Sequence, residues 1–491
     1  MRPARTMISS LRLTALAAAL ALAGCAFAPP AKPPASPSPA QYTAGQTPAE
    51  SAKVDGVAQR FSLGERAVPE WWRAYGSDTL DAWVEEGLRN SPSLAATRHT
   101  LESARQLLRA QIGSTMLPSL DGQAQGSRQR ALGVPSFGPP TNLYNVYAGQ
   151  LSLSYDFDIF GANRHGIEQT AAQVDQQSYE YDAAKRTLAA NIVMAAINAA
   201  SLEEQVRTSE RMSKLAHDQT DLTERAHGLG AASQDDVLSL RQQAASIDTS
   251  LPSLRAQAQK ARHALAVLLG RTPDQAPANL TLAELHLPEN VPVSVPSELL
   301  QQRPDVLAAE AAVHAASAQV GVATANLFPH LSLSASLGTE AFKTANLFTG
   351  AGSVWSAGLS LTQPIFHGGE LLAKRKAAIA SYDAAISSYQ QTVLNAFQNV
   401  ADTMVALNQD ALTLQAAQEE ARAAEQSFAN ADARYRLGGV SYPSMVLTEQ
   451  HWQNAKLTEI QARASRLADT AALFQAMGVP QDAELAEDSR R

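Results

Sequence analysis

The residue best placed for chemistry in this chain of 491 residues is its single cysteine, Cys25. Arg2, Arg5 and Arg12 lead into an apolar stretch over residues 13–23, the basic start and short hydrophobic middle of a secretory signal, and the thiol follows directly after Gly24. A lone thiol has no internal disulfide partner, so its position rather than any pairing carries the information. Catalytic patterns are missing elsewhere. The chain has no G-x-x-x-x-G-K-[ST] phosphate loop and no H-E-x-x-H pair. Its ten histidines are scattered, with His330 and His367 beside the ends of alternating segments. The expectation is a protein that is not an enzyme and holds neither metal nor dissociable cofactor.

Leu22-Ala23-Gly24-Cys25 resembles the bacterial lipoprotein processing site. That resemblance implies a signal peptide over 1–24 and a covalent lipid, such as palmitate, on Cys25 as the mature N-terminus. The residue after the cysteine is Ala26 rather than Asp, as in lipoproteins sent on to the outer membrane. Residues 29–48 are rich in Pro, Ala and Ser, a composition that favours an extended tether, so 25–66 is read as lipid anchor and tether. The polar tail 479–491 is expected to be disordered. A net charge of −8, with only 18% of residues charged, gives no basic footprint for nucleic acid.

The elements that surround these residues come from a duplicated module, over 67–270 and 296–478, joined by a linker at 271–295. Pro92-Ser93-Leu94, Pro118 and Ile159-Phe160-Gly161 recur in order as Pro304-Asp305-Val306, Pro329 and Ile365-Phe366-His367-Gly368. Each copy holds two segments of period-two alternation, predicted as strands near 117–127, 146–158, 330–338 and 354–363. Leu120, Gly122 and Ala124 alternate with Asp121, Gln123 and Gln125, and Leu151, Leu153, Tyr155 and Phe157 with Ser152, Ser154 and Asp156. In the second copy Leu331, Leu333, Ala335 and Leu337 alternate with serines, as do Trp355, Ala357, Leu359 and Leu361 with Ser356, Ser360 and Thr362. Small polar residues suit the wall of a water-filled lumen.

Apart from the signal, no run of about 18 or more apolar residues is seen, which leaves a β-barrel as the way to span a membrane. Four strands cannot close a barrel, since membrane barrels have about eight or more, so the chain must oligomerise. Strand counting does not choose between two copies and three.

Residues 167–227 and 370–437 contain neither Gly nor Pro. Helices over 163–228 and 369–437 would each extend about 90 to 100 Å. Alanine-rich stripes such as Ile167, Ala171, Val174 and Val393, Ala396, Val400 allow close packing along their length. Turns with Gly228, Gly230 and Ser233, and with Gly438, Gly439 and Ser441, return the chain into helices 234–269 and 444–477. Ser233 and Ser441 are candidate caps, and Pro252 is expected to kink the first returning helix.

The combination resembles the TolC-type outer-membrane efflux proteins, in particular the lipoprotein branch serving resistance-nodulation-division pumps. Its most specific stretches are Pro296-Ser297-Glu298-Leu299-Leu300-Gln301-Gln302-Arg303-Pro304-Asp305-Val306 and Leu327-Phe328-Pro329-His330-Leu331-Ser332-Leu333, with Trp71-Trp72 and Arg434-Tyr435-Arg436-Leu437-Gly438 in support. The resemblance implies a mainly α protein with a membrane β-barrel: a homotrimer whose twelve-stranded barrel continues into a long helical periplasmic barrel. It also implies a periplasmic adaptor at the hairpin turns, an inner-membrane pump behind the adaptor, and export of drugs or toxic small molecules. Gate residues carried over are Asp235 and Asp236 after the first turn and Arg434, Tyr435 and Arg436 before the second. Thr448 and His451 stand where the family often has an acid and a base, which puts that salt-bridge lock in doubt. A lipid-anchored coiled-coil scaffold without a pore, and a duct for type I protein secretion, are the alternatives.

Overall fold

A computed structural model describes residues 28–33, 37, 39, 41–43, 50–54, 56–65, 68–132 and 141–478. The signal segment 1–24, the lipidation residue Cys25 and the tail 479–491 lie outside the described residues. In chain order the strands are β1 (Arg60–Leu63), β2 (Ser119–Leu132), β3 (Thr141–Phe157), β4 (Asn290–Val293), β5 (His330–Ala341) and β6 (Ser353–Thr362). The α-helices are α1 (Asp78–Asn90), α2 (Pro92–Met116), α3 (Ala162–Gly228), α4 (Gln234–Leu268), α5 (Pro296–Gln302), α6 (Pro304–Ala325), α7 (Glu370–Arg436) and α8 (Tyr442–Met477). At 67 residues each, α3 and α7 are about 100 Å long. Pro252 lies inside α4, which continues as one helix on both sides of it.

The compact units do not follow the sequence repeat. Among the described residues, one comprises those of 28–33, 100–178 and 308–390; the other comprises those of 37–99, 179–307 and 391–478. Each repeat therefore contributes to both.

In the first unit, β2, β3, β5 and β6 form an antiparallel sheet in that order, leaving β2 and β6 as open edges among the described residues. All four strands join helices at one end of the sheet. Three strands reach farther than alternation indicates: β2 to Leu132, β3 back to Thr141 and β5 to Ala341. The hydrogen-bond ladder continues there because backbone pairing does not require the side chains to keep alternating. Helix α6 corrects a further expectation, because it is long and apolar enough to cross a membrane. More than half of it is buried inside the protein, and Val320 and Ala323 pack on Ala378, as in a core helix.

In the second unit the stretch read as tether is partly built in. β1 pairs in parallel with β4, from Arg60 against Asn290 to Leu63 against Val293. Gln59 is fully buried and donates from Nε2 to Thr470 Oγ1 at 3.0 Å, while Arg466 donates to Ser51 Oγ at 3.2 Å. Upstream of these, Tyr42 Oη donates to the Ser294 carbonyl at 2.7 Å, so the described residues 42 and 50–65 of the expected tether 25–66 are fastened to the fold. Composition misses this because Ser51, Gln59 and Phe61 are held by polar pairing and a short strand rather than by a long apolar run. The core beside it stacks Trp71 on Phe474, ring centres 5.2 Å apart, and ties Tyr75 Oη to the Leu467 carbonyl at 2.8 Å.

Buried Arg303, between α5 and α6, forks onto Asp305 at 3.0 and 2.6 Å and donates to the Ala476 carbonyl at 2.9 Å. One planar guanidinium thus joins the start of the second repeat to the end of α8. Arg303→Ala should destabilise this unit by about 2–4 kcal/mol, and Arg303→Lys, which lacks the fork, should recover less than half of it. Thermal unfolding of the purified variants checks both.

Candidate functional site

The strand register sorts side chains into two faces. On one, Leu120, Leu153, Ala335 and Ala357 form a row across the sheet, followed by Gly122, Leu151, Leu337 and Trp355. Tyr155, Leu333 and Leu359, then Phe157, Leu331 and Leu361, continue it toward the helices. The opposite face carries Asp121, Ser152, Ser336 and Ser356 in one row and Ser119, Ser154, Ser334 and Gly358 in the next. Its hydroxyls pair across strands, Ser119 with Ser154 at 2.7 Å and Ser336 with Ser356 at 2.8 Å. Leu120, Leu151, Leu337, Trp355, Leu359 and Leu361 are all exposed. A soluble sheet covers such a face with another layer, whereas here both faces are open among the described residues, one suited to hydrocarbon and one to water.

Glycine permits close strand approach at one point of this sheet. A Cβ on Gly338 would collide with the Gly149 carbonyl oxygen.

The hairpin turns, in the second unit, are built by backbone capping. After α3 the Ala231 amide donates to the Ala226 carbonyl at 2.9 Å, with Gly230 at φ +76°. After α7 the Gly439 amide donates to the Arg434 carbonyl at 2.8 Å, with Gly438 at φ +72°. Ser233 caps α4: its Oγ accepts from the Asp236 amide at 3.1 Å, and Asp236 Oδ2 accepts from the Ser233 amide at 3.1 Å, a reciprocal capping box. Ser441 makes no side-chain cap on α8, which starts at Tyr442 with Pro443 in its first turn. Proline supplies the helical φ there and has no amide to satisfy, so the serine has less to do.

The residues singled out from sequence are dispersed. Asp236 is engaged in the cap, Arg436 is ion-paired to Asp432 at 2.8 Å, and Thr448 Oγ1 donates to the Met445 carbonyl at 2.6 Å. Asp235, Arg434 and His451 are exposed and carry no ion pair among the described residues. Tyr435 is the exception. It meets Tyr442 edge-on at 5.0 Å, in a cluster with Leu240, Met445, Val446 and Phe428, and Trp452 stacks on Phe428 at 5.3 Å. This packing joins the two hairpins, as does the Gln450 amide, which donates to Gln243 Oε1.

At this seam sits a residue that sequence reasoning passed over. Glu449 is 0% exposed; its Oε1 accepts from Gln453 Nε2 at 3.2 Å, and its Oε2 has no partner among the described residues. The buried Tyr442 hydroxyl is likewise unpartnered there. Burial pushes Glu449 up to about 7, against the pull of the Gln453 hydrogen bond and with Asp432 adding to the rise. The same burial, with Glu449 nearby, holds the Tyr442 hydroxyl well above its ordinary range. The one available signal was position: Glu449 falls on the α8 face defined by Tyr442, Met445 and Val446.

The outer membrane efflux protein family model matches residues 83–271 and 295–479, most of the chain. The chain belongs to the outer membrane efflux protein family. Among its relatives, the pyoverdine export outer membrane protein OpmQ of Pseudomonas aeruginosa is 31% identical over 84% of this chain and 87% of its own length. The solved outer-membrane channel OprN aligns with a TM-score of 0.77 at 26% identity, covering 89% of this chain and 98% of the other. The CmeC outer membrane channel of Campylobacter jejuni, 23% identical, shares the fold, with a TM-score of 0.81 over 93% of this chain and 98% of its own. This efflux protein thus has the TolC-type channel fold and works at the outer membrane.

Glu449 makes the hairpin seam of the efflux protein sensitive to pH. A carboxyl raised in the fold keeps a proton that the unfolded chain has already lost. Stability from this group is therefore complete below the ordinary carboxylate range and lost as pH rises toward about 7. Local opening of the start of α8 should grow by up to about tenfold per pH unit within that window. Glu449→Gln should flatten the slope, as read by hydrogen exchange of residues 442–453 at pH 5 and pH 8. An unchanged slope would remove Glu449 as its source.

Proposed function

We propose that this protein is a passive duct through which a partner-driven efflux system expels drugs or other toxic small molecules. Three copies close their four-stranded sheets edge to edge, β2 of one against β6 of the next, into a twelve-stranded barrel. The serine face lines the lumen and the leucine face meets lipid. The helical hairpins of the three copies make the periplasmic tunnel, and a covalent lipid on Cys25 adds a second hold on the membrane. The chain neither carries out catalysis nor holds a metal; the energy for transport comes from an inner-membrane resistance-nodulation-division pump reached through a periplasmic adaptor.

The observation that carries this reading is the sheet itself. It has two open edges and two exposed faces of opposite character, in a chain of the efflux family. An edge left in lipid would strand a row of unpaired backbone groups, so closure by further copies is the stable solution. At the hairpin ends, Leu229 and Leu437 are 86% and 87% exposed at matching places in the two turns, an apolar pair suited to an adaptor. The gate is proposed at the Tyr435–Tyr442 seam rather than in charge pairs, since Arg436 and Asp236 are already engaged locally.

Deletion and complementation in the native strain test this reading. Loss of the chain should raise drug accumulation and susceptibility several-fold, and the purified trimer should conduct in planar bilayers. A deletion strain with unchanged susceptibility and an altered secreted-protein profile would replace drug efflux with polypeptide export. Protein that never conducts, even after truncation of the hairpin tips that carry the gate, would favour a scaffold.

A further inference from the structure

The oily face does not end where its leucines end. Carrying the register outward from Gly122, Leu151, Leu337 and Trp355, the next row is Ala124, Gly149, Thr339 and Ser353, and the next is Gly126, Tyr147 and Ala341. From the Phe157 row to the Tyr147 row the face spans a rise of ten residue steps along β3, about 34 Å along the strand and about 26 Å in height at a usual barrel tilt. Aromatic rings mark both limits, with Tyr155 and Phe157 packed edge-on at 5.1 Å at the helix end and Tyr147 at the other. That is the height and edging of a lipid-facing band.

Beyond Tyr147, on the same face, β2 presents Arg128 opposite Asn145 and Arg130 opposite Leu143. Both are exposed, and neither has an ion pair among the described residues. Arg130 donates from Nε and Nη2 to Thr141 Oγ1, each at 3.3 Å, which keeps its guanidinium against the lipid-side face. On the lumen face between them, Gln129 bonds Ser127 at 3.2 Å, so the two arginines are separated from the polar wall by the pleat. The following residues, 133–140, contain no Asp or Glu that could neutralise them. The arginines sit about 5 to 10 Å above the band, at the end of the sheet away from the helices, which is headgroup depth in the outer leaflet. Guanidinium groups at that depth match phosphate oxygens in charge and in fork geometry.

We propose that Arg128 and Arg130 form a binding site, one per subunit, for phosphorylated lipid headgroups of the outer leaflet, the phosphoglycolipid that faces the exterior. The site docks the barrel rim to its surrounding lipid and lies outside the conducting path. It rests on the reading of the leucine face as lipid-facing.

The test uses the full-length trimer in detergent, with diphosphoryl lipid A, dephosphorylated lipid A and inorganic phosphate as probes and native mass spectrometry as readout. Wild-type protein should retain diphosphoryl lipid A about tenfold or more better than the dephosphorylated form, and an R128Q/R130Q variant should lose that preference. A control substitution on the lumen side, Gln129→Lys, should not strengthen binding, and millimolar inorganic phosphate should not displace the lipid. Equal retention by the double variant, or no preference for the phosphorylated lipid, overturns the proposal. Displacement by inorganic phosphate overturns the lipid assignment in favour of a simple anion site. Bilayer conductance separates the two layers of inference: a double variant that conducts normally and still binds lipid A refutes the site alone, whereas protein that never conducts even with its hairpin tips truncated counts against the barrel itself.

Discussion

Leu337→Arg should abolish the channel, while Ser336→Arg, one residue away, should leave it assembled. Leu337 lies between Leu151 and Trp355 in a row near the middle of the oily band. A guanidinium there has hydrocarbon on its outer side and no carboxylate in its row. A charge at the midplane of a barrel wall costs about 2–4 kcal/mol, and a trimer carries it three times. Ser336 points to the opposite face, in the row of Asp121, Ser152 and Ser356. Arginine at that position meets water and a nearby acid, so the ring of three added charges should reduce cation conductance without preventing closure. Heat-stable trimers on gels and single-channel recordings report both outcomes. If the two variants behaved alike, the assignment of faces would be wrong.

The same row explains which parts of the fold could be read from the chain. Leu331, Leu333, Ala335 and Leu337 alternate with serines, so the side-chain period and the strand are visible together. Past Tyr147 the oily face carries Arg128, Arg130 and Asn145, the alternation fails, and the strands look shorter than they are. Their continuation is held by backbone pairing, which leaves no side-chain pattern. β1 and β4 were hidden for a related reason. Four residues such as Arg60-Phe61-Ser62-Leu63 show no period, and the partner strand lies across almost half the chain. The long helices were plain because the absence of Gly and Pro over such distances is itself the signal. At the hairpins, charge drew attention to Asp235, Arg434 and His451, whereas the structure gives weight to Tyr442, Glu449 and Gln243. Which acid is buried depends on how two helical hairpins pack, and a one-dimensional pattern does not contain that.

Leu229→Glu combined with Leu437→Glu should eliminate efflux in a protein that still folds and still conducts. The two leucines sit in turns whose geometry is set by Gly230 and Gly438 at positive φ, and neither glycine is altered by the change. Each side chain is more than four-fifths exposed, so removing it leaves no cavity and should cost little stability. What it removes is about 1.5–3 kcal/mol of apolar burial per leucine on contact with a partner, and carboxylates there add a desolvation penalty to docking. Adaptor capture by the double variant should therefore fall at least about a hundredfold, and drug susceptibility should match that of the deletion strain. Leu222→Glu supplies the control, since Leu222 is also exposed on α3 but stands more than a turn before the hairpin end. Loss of efflux from Leu222→Glu alone would show that the whole outer surface of α3 is needed. Full efflux by the double variant would mean that the turns do not touch the adaptor, and the docking surface would then have to lie along the sides of the hairpins.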